Sequence, residues 1–232
     1  MLNKYPSGNH GKANHGWLKS LFHFSFAEYY NPERMNFGVL RVVNDDLVAT
    51  NTGFAMHPHR DMEIVSYVID GELTHEDSMG NKNNISRGHI QYMSAGTGVV
   101  HSEHNFGIDP LRFLQIWINP NQTGLEPYYG DYKFDWNLRK NRLLHMVSPK
   151  AGGASVKIHS DASLYALELD KGLYMDFNVG VDRQVYLIQI EGASDVNGLV
   201  LNAKDAAESV EESLVIKALE TSHLLIVEMK KA

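Results

Sequence analysis

The chain has 232 residues, of which 43% are hydrophobic, and its formal net charge is −7. This length can bury one large or two small cores, and an acidic chain without a Lys/Arg block argues against nucleic acid as a partner. The absence of cysteine excludes disulfides, thiolate metal sites and cysteine nucleophiles.

The first sixteen residues are rich in Gly, Asn and His and predict an irregular arm. They lack the apolar core of a signal peptide, and no apolar run in the chain approaches transmembrane length. We therefore expect a cytoplasmic protein that does not act at a membrane.

Short β-type segments follow one another after this arm. Residues 37–50 (FGVLRVVNDDLVAT) predict a strand, a turn and a second strand. Residues 63–96 predict several short strands separated by Asp-Gly, Met-Gly-Asn and Arg-Gly turn signals, a spacing typical of a small antiparallel barrel or sandwich. Residues 111–120 (LRFLQIWINP) predict a further strand that Asn-Pro ends.

The β pattern continues in the second half of the chain. Residues 121–150 predict a connection with some irregular structure, and β-type segments resume after it. Residues 202–213 (NAKDAAESVEES) are Ala/Glu-rich and favour either a helical turn or an acidic loop. The whole pattern predicts two β-rich domains, residues 1–135 and 136–232, of which only the first carries clustered histidines.

Those histidines form the main functional signal. Residues two apart in a strand point the same way, so His57 and His59 face one side together. His101 and Glu103 repeat this spacing after a Gly-rich turn. A lone His-x-His pair is more often a hydrogen-bonded strand pair, but a second pair in the same β unit favours a metal site. Three nitrogens and one carboxylate oxygen suit a first-row divalent ion with open positions.

Other residues compete for a place in this site. By strand parity, Glu63 shares the face of His57 and His59 and is a second carboxylate candidate. His23 is interpreted as a packed, hydrogen-bonded residue, and His104 falls on the face opposite His101. The scattered histidines are interpreted as ordinary polar or core residues: His75, His89, His145, His159 and His223. Four apolar residues are weak candidates for lining an aromatic pocket: Phe54, Met56, Met93 and Phe113.

The order of these residues resembles the cupin signature. It reads Gly53, His57-Pro-His59, Glu63, Gly71, Gly88, Gly96 and His101. More narrowly, HPHRDMEIVSYVIDGELTHEDSMGN and SAGTGVVHSE resemble the pirin family of bicupins, over nearly the whole N-terminal half and more loosely beyond it. The resemblance implies an all-β bicupin: two stacked antiparallel β-barrels of the jelly-roll or cupin type, with few short helices.

The resemblance also implies a ligand set for one divalent transition metal. Carried over by position, the ligands are His57, His59, His101 and Glu103, with Fe2+ expected first and Zn2+, Mn2+, Ni2+, Cu2+ or Co2+ as alternatives. Cupins commonly use the carboxylate at Glu63 instead, but pirins use the one at Glu103, which we favour and which is also the expected catalytic residue. The C-terminal barrel is expected to hold no metal.

An activity follows from the same resemblance. Asp61-Met62 stands where eukaryotic-type pirins have Gly-Phe, which favours the bacterial branch that resembles quercetin 2,3-dioxygenase. The expected reaction cleaves the flavonol quercetin with O2 to a depside and carbon monoxide, in a monomer. Two alternatives stay open: a metal- or redox-dependent regulatory protein that binds a protein partner, and a cupin oxygenase with a different aromatic substrate.

Overall fold

The computed structural model describes residues 2–232 and is built almost entirely from β-strands. Two short 3-10 helices, Ser7–Asn9 and Trp136–Arg139, accompany them. In chain order the strands are β1 (Leu2–Tyr5), β2 (Gly11–Asn14), β3 (Leu18–Phe22), β4 (Leu40–Val48), β5 (Thr52–His59), β6 (Glu63–Asp70), β7 (Glu72–Asp77), β8 (Lys82–Ser86), β9 (His89–Ser94), β10 (Val99–Asn105), β11 (Leu111–Ile118), β12 (Tyr128–Lys133), β13 (Leu144–Pro149), β14 (Val156–Ile158), β15 (Ala162–Leu169), β16 (Tyr174–Phe177), β17 (Arg183–Glu191), β18 (Ala193–Val196), β19 (Leu199–Asn202), β20 (Ala206–Val210), β21 (Leu214–Ala218) and β22 (Ser222–Lys230).

The strands form two units, each with one seven-stranded and one four-stranded sheet. In the first unit the sheet orders are β12-β9-β6-β11-β4-β3-β2 and β5-β10-β7-β8. In the second they are β1-β20-β17-β22-β15-β13-β14 and β16-β21-β18-β19. Neighbouring strands pair antiparallel, apart from the parallel pair β13 and β14. This architecture confirms the predicted all-β fold of two barrels.

Strand β6 shows how the two units are held together. All of its residues are buried except the last, because both of its faces are covered. Ile64 and Val68 face the interior of the first barrel, in two small apolar clusters. Val65 and Tyr67 lie on the other face, in a large cluster shared with residues of the second barrel such as Leu225. Burial of this shared apolar surface stabilises the stacking of the two large sheets.

Two local predictions are wrong. The predicted irregular arm contains β1 and β2, and β1 pairs with β20 of the second barrel. Strand β20 itself lies in the Ala/Glu-rich segment, which is neither a helical turn nor an acidic loop. It pairs on both sides, with β1 and with β17, and this pairing outweighs the weak strand propensity of Ala and Glu.

The connection between the barrels is shorter than the sequence suggests. Strand β12 pairs with β9 of the first barrel, and β13 pairs with β15 of the second. The second 3-10 helix begins at Trp136, in the segment between β12 and β13, and the division between residues 135 and 136 stays a prediction. No helix in the described part of the chain is long and apolar enough to cross a membrane.

Candidate metal centre

Strands β5 and β10 bring the two predicted histidine pairs together. His57 lies opposite His101 in their antiparallel register. A β-bulge then shifts the pairing, so that Phe54 lies opposite Glu103. A Cβ atom on Gly53 would lie 2.3 Å from the carbonyl oxygen of Glu103, so this close approach of the two backbones requires glycine.

The imidazoles of His57, His59 and His101 form one compact group. Their ring centroids are 4.5 Å (57 to 101), 4.8 Å (57 to 59) and 4.9 Å (59 to 101) apart, and one potential ligand atom from each lies within 4.8 Å of the others. His57 donates Nδ1–H to the carbonyl oxygen of Ala55 at 2.8 Å, which leaves its Nε2 as a free acceptor. His57 and His59 are half-buried, whereas His101 is fully buried.

The charge state of two of these histidines, His59 and His101, suits a cation. Burial, reinforced by the neighbouring imidazoles, lowers the pKa of His59 to about 4 and that of His101 to about 3. Both rings are therefore neutral near pH 7, with a lone pair available. Within residues 2–232, the buried Nε2 of His101 has no hydrogen-bond partner. A buried polar atom without a partner is costly, so this donor set fits a divalent transition metal.

Glu103 is held by three side chains of the barrel interior, Ser66, Gln91 and Gln115, which we call the Glu103 cradle. Ser66 Oγ (3.0 Å) and Gln91 Nε2 (3.2 Å) donate to Oε1, and Gln115 Nε2 donates to Oε2 at 2.7 Å. Since a carboxylate oxygen accepts about two hydrogen bonds, Oε2 keeps one free position. Glu103 forms a compact group with His101 and His75, rather than with all three histidines of the first group.

Glu63 has a different environment from the one that strand parity suggested. Its buried carboxylate accepts hydrogen bonds from Tyr92 Oη (2.5 Å), Ser94 Oγ (2.7 Å) and the backbone N–H of His159 (2.9 Å). The alternation of side chains along β5 cannot be extended to Glu63, because the chain turns at Asp61 (φ 48°) and β5 and β6 belong to different sheets. Glu63 thus connects the first barrel to the second.

The four apolar pocket candidates lie in different surroundings. Phe54 is half-buried, 6.4 Å from the ring of His57. Met93 and Phe113 are fully buried in separate apolar clusters, and Met56 is 53% exposed. Trp117, which the sequence reading did not single out, meets His59 edge-on at 4.8 Å. Phe54 and Trp117 are therefore the aromatic side chains that flank the histidines.

One histidine does not match its sequence interpretation. His23 is packed and hydrogen-bonded, at 2.9 Å from Tyr186 Oη, as expected. His75, in contrast, lies against the site: its Nδ1 is 3.4 Å from His101 Nδ1 and its Nε2 is 3.1 Å from Asp77 Oδ2. A signal was present, because His75 and Asp77 repeat the His-x-carboxylate spacing of His101 and Glu103.

Two stacked β-barrels with a histidine cluster in one of them define a protein of the bicupin class. A family model described as Pirin matches residues 6–118, and one described as the quercetinase C-terminal cupin domain matches residues 145–229. A pirin-like protein of Caulobacter vibrioides is 42% identical, with 98% of this chain and 99% of that protein aligned. A quercetin 2,3-dioxygenase of Escherichia coli K12 is 40% identical, with 99% of both chains aligned.

Solved structures agree with these relatives. The crystal structure of the bacterial pirin YhhW from Escherichia coli, in complex with nickel(II), superimposes with a TM-score of 0.94 at 37% identity and covers 100% of both chains. The chain belongs to the pirin family and is a quercetin 2,3-dioxygenase-like member of it, which confirms the resemblance read from the sequence.

Proposed function

We propose that this protein is a metal-dependent dioxygenase that cleaves a flavonol such as quercetin with O2, releasing a depside and carbon monoxide. The observation that carries the proposal is the buried Nε2 of His101, which has no hydrogen-bond partner in the described chain and lies in a ring that packs against the imidazoles of His57 and His59. The names of the relatives support the reaction class.

Four residues would hold the metal. His57, His59 and His101, which form one compact group, would bind through imidazole nitrogens. Glu103, which lies close to His101, would bind through Oε2, the carboxylate oxygen that keeps a free acceptor position. When bound there, a divalent transition metal, with Fe2+ expected first, supplies Lewis-acid chemistry that lowers the pKa of a coordinated hydroxyl group.

Glu103 has a second part in the proposal, in alternation with the first: when its Oε2 is not bound to the metal, that oxygen accepts the substrate's 3-hydroxyl proton. The cradle of Ser66, Gln91 and Gln115 holds its carboxylate in one orientation, and burial keeps bulk water away. A positioned base within hydrogen-bond reach typically accelerates proton transfer by about 10²–10⁴-fold.

The surroundings of the histidines fit a flat aromatic substrate. His57 and His59 are half-buried on the edge strand β5, so the site opens on that side. Phe54 and Trp117 flank the two rings and offer apolar contact to an aromatic ligand. The oxygen atoms of O2 enter the depside and the carbon monoxide carries away one ring carbon, so no further reductant is needed.

The test is oxygen consumption together with carbon monoxide release from quercetin. Protein loaded with Fe(II), Mn(II), Ni(II) or Cu(II) is compared with His101→Ala, and the exposed His15→Ala serves as the matched control. We expect metal-dependent turnover in the wild type and in His15→Ala, and its loss in His101→Ala. Protein that binds metal but shows no turnover with any of the four ions would contradict the proposal and favour a regulatory role or another aromatic substrate.

A further inference from the structure

Next to His101 lies a row of buried polar groups that belongs to the neighbouring strand β7. Strand β7 pairs with β10 so that Asp77 lies opposite His101 and His75 opposite Glu103. His101 Nδ1 is 3.4 Å from His75 Nδ1, and His75 Nε2 is 3.1 Å from Asp77 Oδ2. All three side chains are buried.

The far end of this row is fixed by backbone and side-chain donors. Asp77 Oδ1 accepts hydrogen bonds from the backbone N–H groups of Met79 (2.9 Å) and Asn81 (3.0 Å), and Oδ2 accepts one from Asn81 Nδ2 at 2.9 Å. The ring of His75 stacks on Tyr129 with centroids 4.4 Å apart and an interplanar angle of 17°. Both residues are therefore held in one orientation.

This arrangement determines where the protons lie. An ionised aspartate only accepts hydrogen bonds, so His75 must carry its proton on Nε2. With that proton on Nε2, Nδ1 of His75 is placed to accept, and His101 carries its own proton on Nδ1 to donate across the 3.4 Å contact. His101 is left with its lone pair on Nε2, the buried atom without a hydrogen-bond partner in residues 2–232.

The same contacts argue against His75 as a ligand. His75, His101 and Glu103 are close enough to share a cation. However, Nε2 of His75 is engaged by Asp77 and Nδ1 by His101, so neither nitrogen is free to bind one.

We infer that His75 and Asp77 are positioning residues, which fix His101 as the Nδ1–H tautomer and aim its Nε2 at the metal. The inference rests on the proposed metal site and assigns a task to two residues outside the ligand set. Outer-shell partners of this kind typically change metal affinity by about 10–100-fold.

The decisive variant is Asp77→Asn, because an amide of the same shape can donate a hydrogen bond to His75 Nε2. The protons along the row would then reverse, and His101 would carry its proton on Nε2. Imidazole 15N chemical shifts of the metal-free protein report this tautomer directly. We expect Nδ1–H in the wild type and Nε2–H in Asp77→Asn.

Metal affinity gives the second readout, by competitive titration with Ni(II). We expect Asp77→Asn and His75→Phe each to weaken Ni(II) binding by about 10–100-fold. Glu76→Gln is the matched control, since it removes a carboxylate one position away that is exposed and pairs with Lys82, and it should leave both readouts unchanged. His75→Phe removes the imidazole but keeps the negative charge of Asp77. If only Asp77→Asn lost Ni(II) affinity, the loss would come from the removed charge and not from the tautomer of His101, which would overturn the inference.

Three further outcomes separate this inference from the proposed function. An Nε2–H tautomer of His101 in the wild type, or an unchanged tautomer in Asp77→Asn, would overturn the positioning role even if the enzyme is active. Failure of the wild type to bind Ni(II), Fe(II) or Mn(II) would overturn the metal site itself. Binding of Ni(II) without any flavonol turnover would leave the positioning role standing and reject only the reaction.

Discussion

Burial controls the protonation of several histidines in this chain. Burial and, to a smaller extent, the nearby Arg34 guanidinium lower the pKa of His10 to about 4. Burial also lowers the pKa of His101, to about 3. The pKa of a histidine in the unfolded chain is near its ordinary value of 6.5, so the unfolded state takes up protons first as the pH falls. Asp46 opposes this trend, because burial raises its pKa to about 7 and the folded state binds its proton first.

These shifts predict how stability depends on pH. Without metal, each of His10 and His101 lowers the free energy of unfolding by up to about 1.4 kcal/mol per pH unit as the pH falls below 6.5. This contribution stops when the pH reaches the pKa of that histidine in the folded protein. His10→Gln should therefore flatten the decline in unfolding free energy between pH 6.5 and 4, measured by urea denaturation. The exposed His15→Gln should not. A His10→Gln profile parallel to that of the wild type would contradict this assignment.

The Glu103 cradle makes a prediction about stability as well as chemistry. Gln115→Met keeps the side-chain length but removes the donor that lies 2.7 Å from Glu103 Oε2. Hydrogen bonds to a charged group contribute about 1.5–3 kcal/mol, so we expect a decrease of that size in unfolding free energy, measured in urea. The exposed Gln122→Met should change it by less than about 0.5 kcal/mol. An equal effect of the two substitutions would rule out the cradle.

Residue spacing could predict only part of this site. The alternation of strand side chains and the family resemblance singled out His57, His59, His101 and Glu103, and the structure brings the three histidines together. The cradle could not be predicted, because its members come from three strands, β6, β9 and β11. The sequence of a single strand does not show its register with the other strands. His75 and Asp77 show the same His-x-carboxylate spacing, but the sequence does not tell that their strand β7 pairs with β10.

At the scale of elements, strand β5 is the weakest support of the site. It carries His57 and His59 but lies at the edge of its sheet and pairs only with β10. Strands with a single partner open more easily than central ones. The residue that lets β5 approach β10 is Gly53, because any Cβ there meets the backbone of Glu103 and His104.

Gly53→Ala should therefore move β5 away from β10. We expect a loss of about 1–3 kcal/mol in unfolding free energy from overpacking, faster hydrogen exchange in residues 52–59, and weaker Ni(II) binding. Gly8→Ala is the control, since a Cβ at that position meets nothing within 4 Å. Unchanged exchange and Ni(II) affinity in Gly53→Ala would show that β5 does not depend on this close approach.

Elements with a clear β pattern were predicted well, and elements set by their neighbours were not. Strands β6 and β11 have the apolar runs and turn signals from which they were read. Strand β20 (AAESV) has weak strand propensity and forms because β1 and β17 pair with it on both sides. Strand β12 is an edge strand that pairs with β9, in a segment that local sequence marks as irregular.

At the scale of the molecule, Glu63 connects the two barrels. Its carboxylate joins Tyr92 and Ser94 of the first barrel to the backbone of His159 in the second. Cupins commonly place a metal ligand at this position, but the contacts here give the residue a structural role.

Replacing each of the two glutamates by glutamine separates the structural role of Glu63 from the proposed ligand role of Glu103. Glu63→Gln should lower the unfolding free energy by about 1–3 kcal/mol, because its NH2 group faces donors, while Ni(II) affinity stays within about twofold of the wild type. Glu103→Gln should weaken Ni(II) binding, since it replaces the proposed ligand oxygen or its charge. A larger loss of Ni(II) affinity in Glu63→Gln than in Glu103→Gln would reverse the assignment of the two carboxylates.

The pairing of β1 with β20 has a consequence for biosynthesis. Leu2 lies opposite Ser209, so residues 2–5 leave the ribosome long before their partner strand is translated. The strands of the first barrel, β2 to β12, are contiguous and can assemble while the second barrel is still being made. The large sheet of the second barrel is completed only when the N-terminal segment returns to cover β20. A nascent chain halted before that point would contain every strand of the first barrel, while β1 would still lack its partner strand β20.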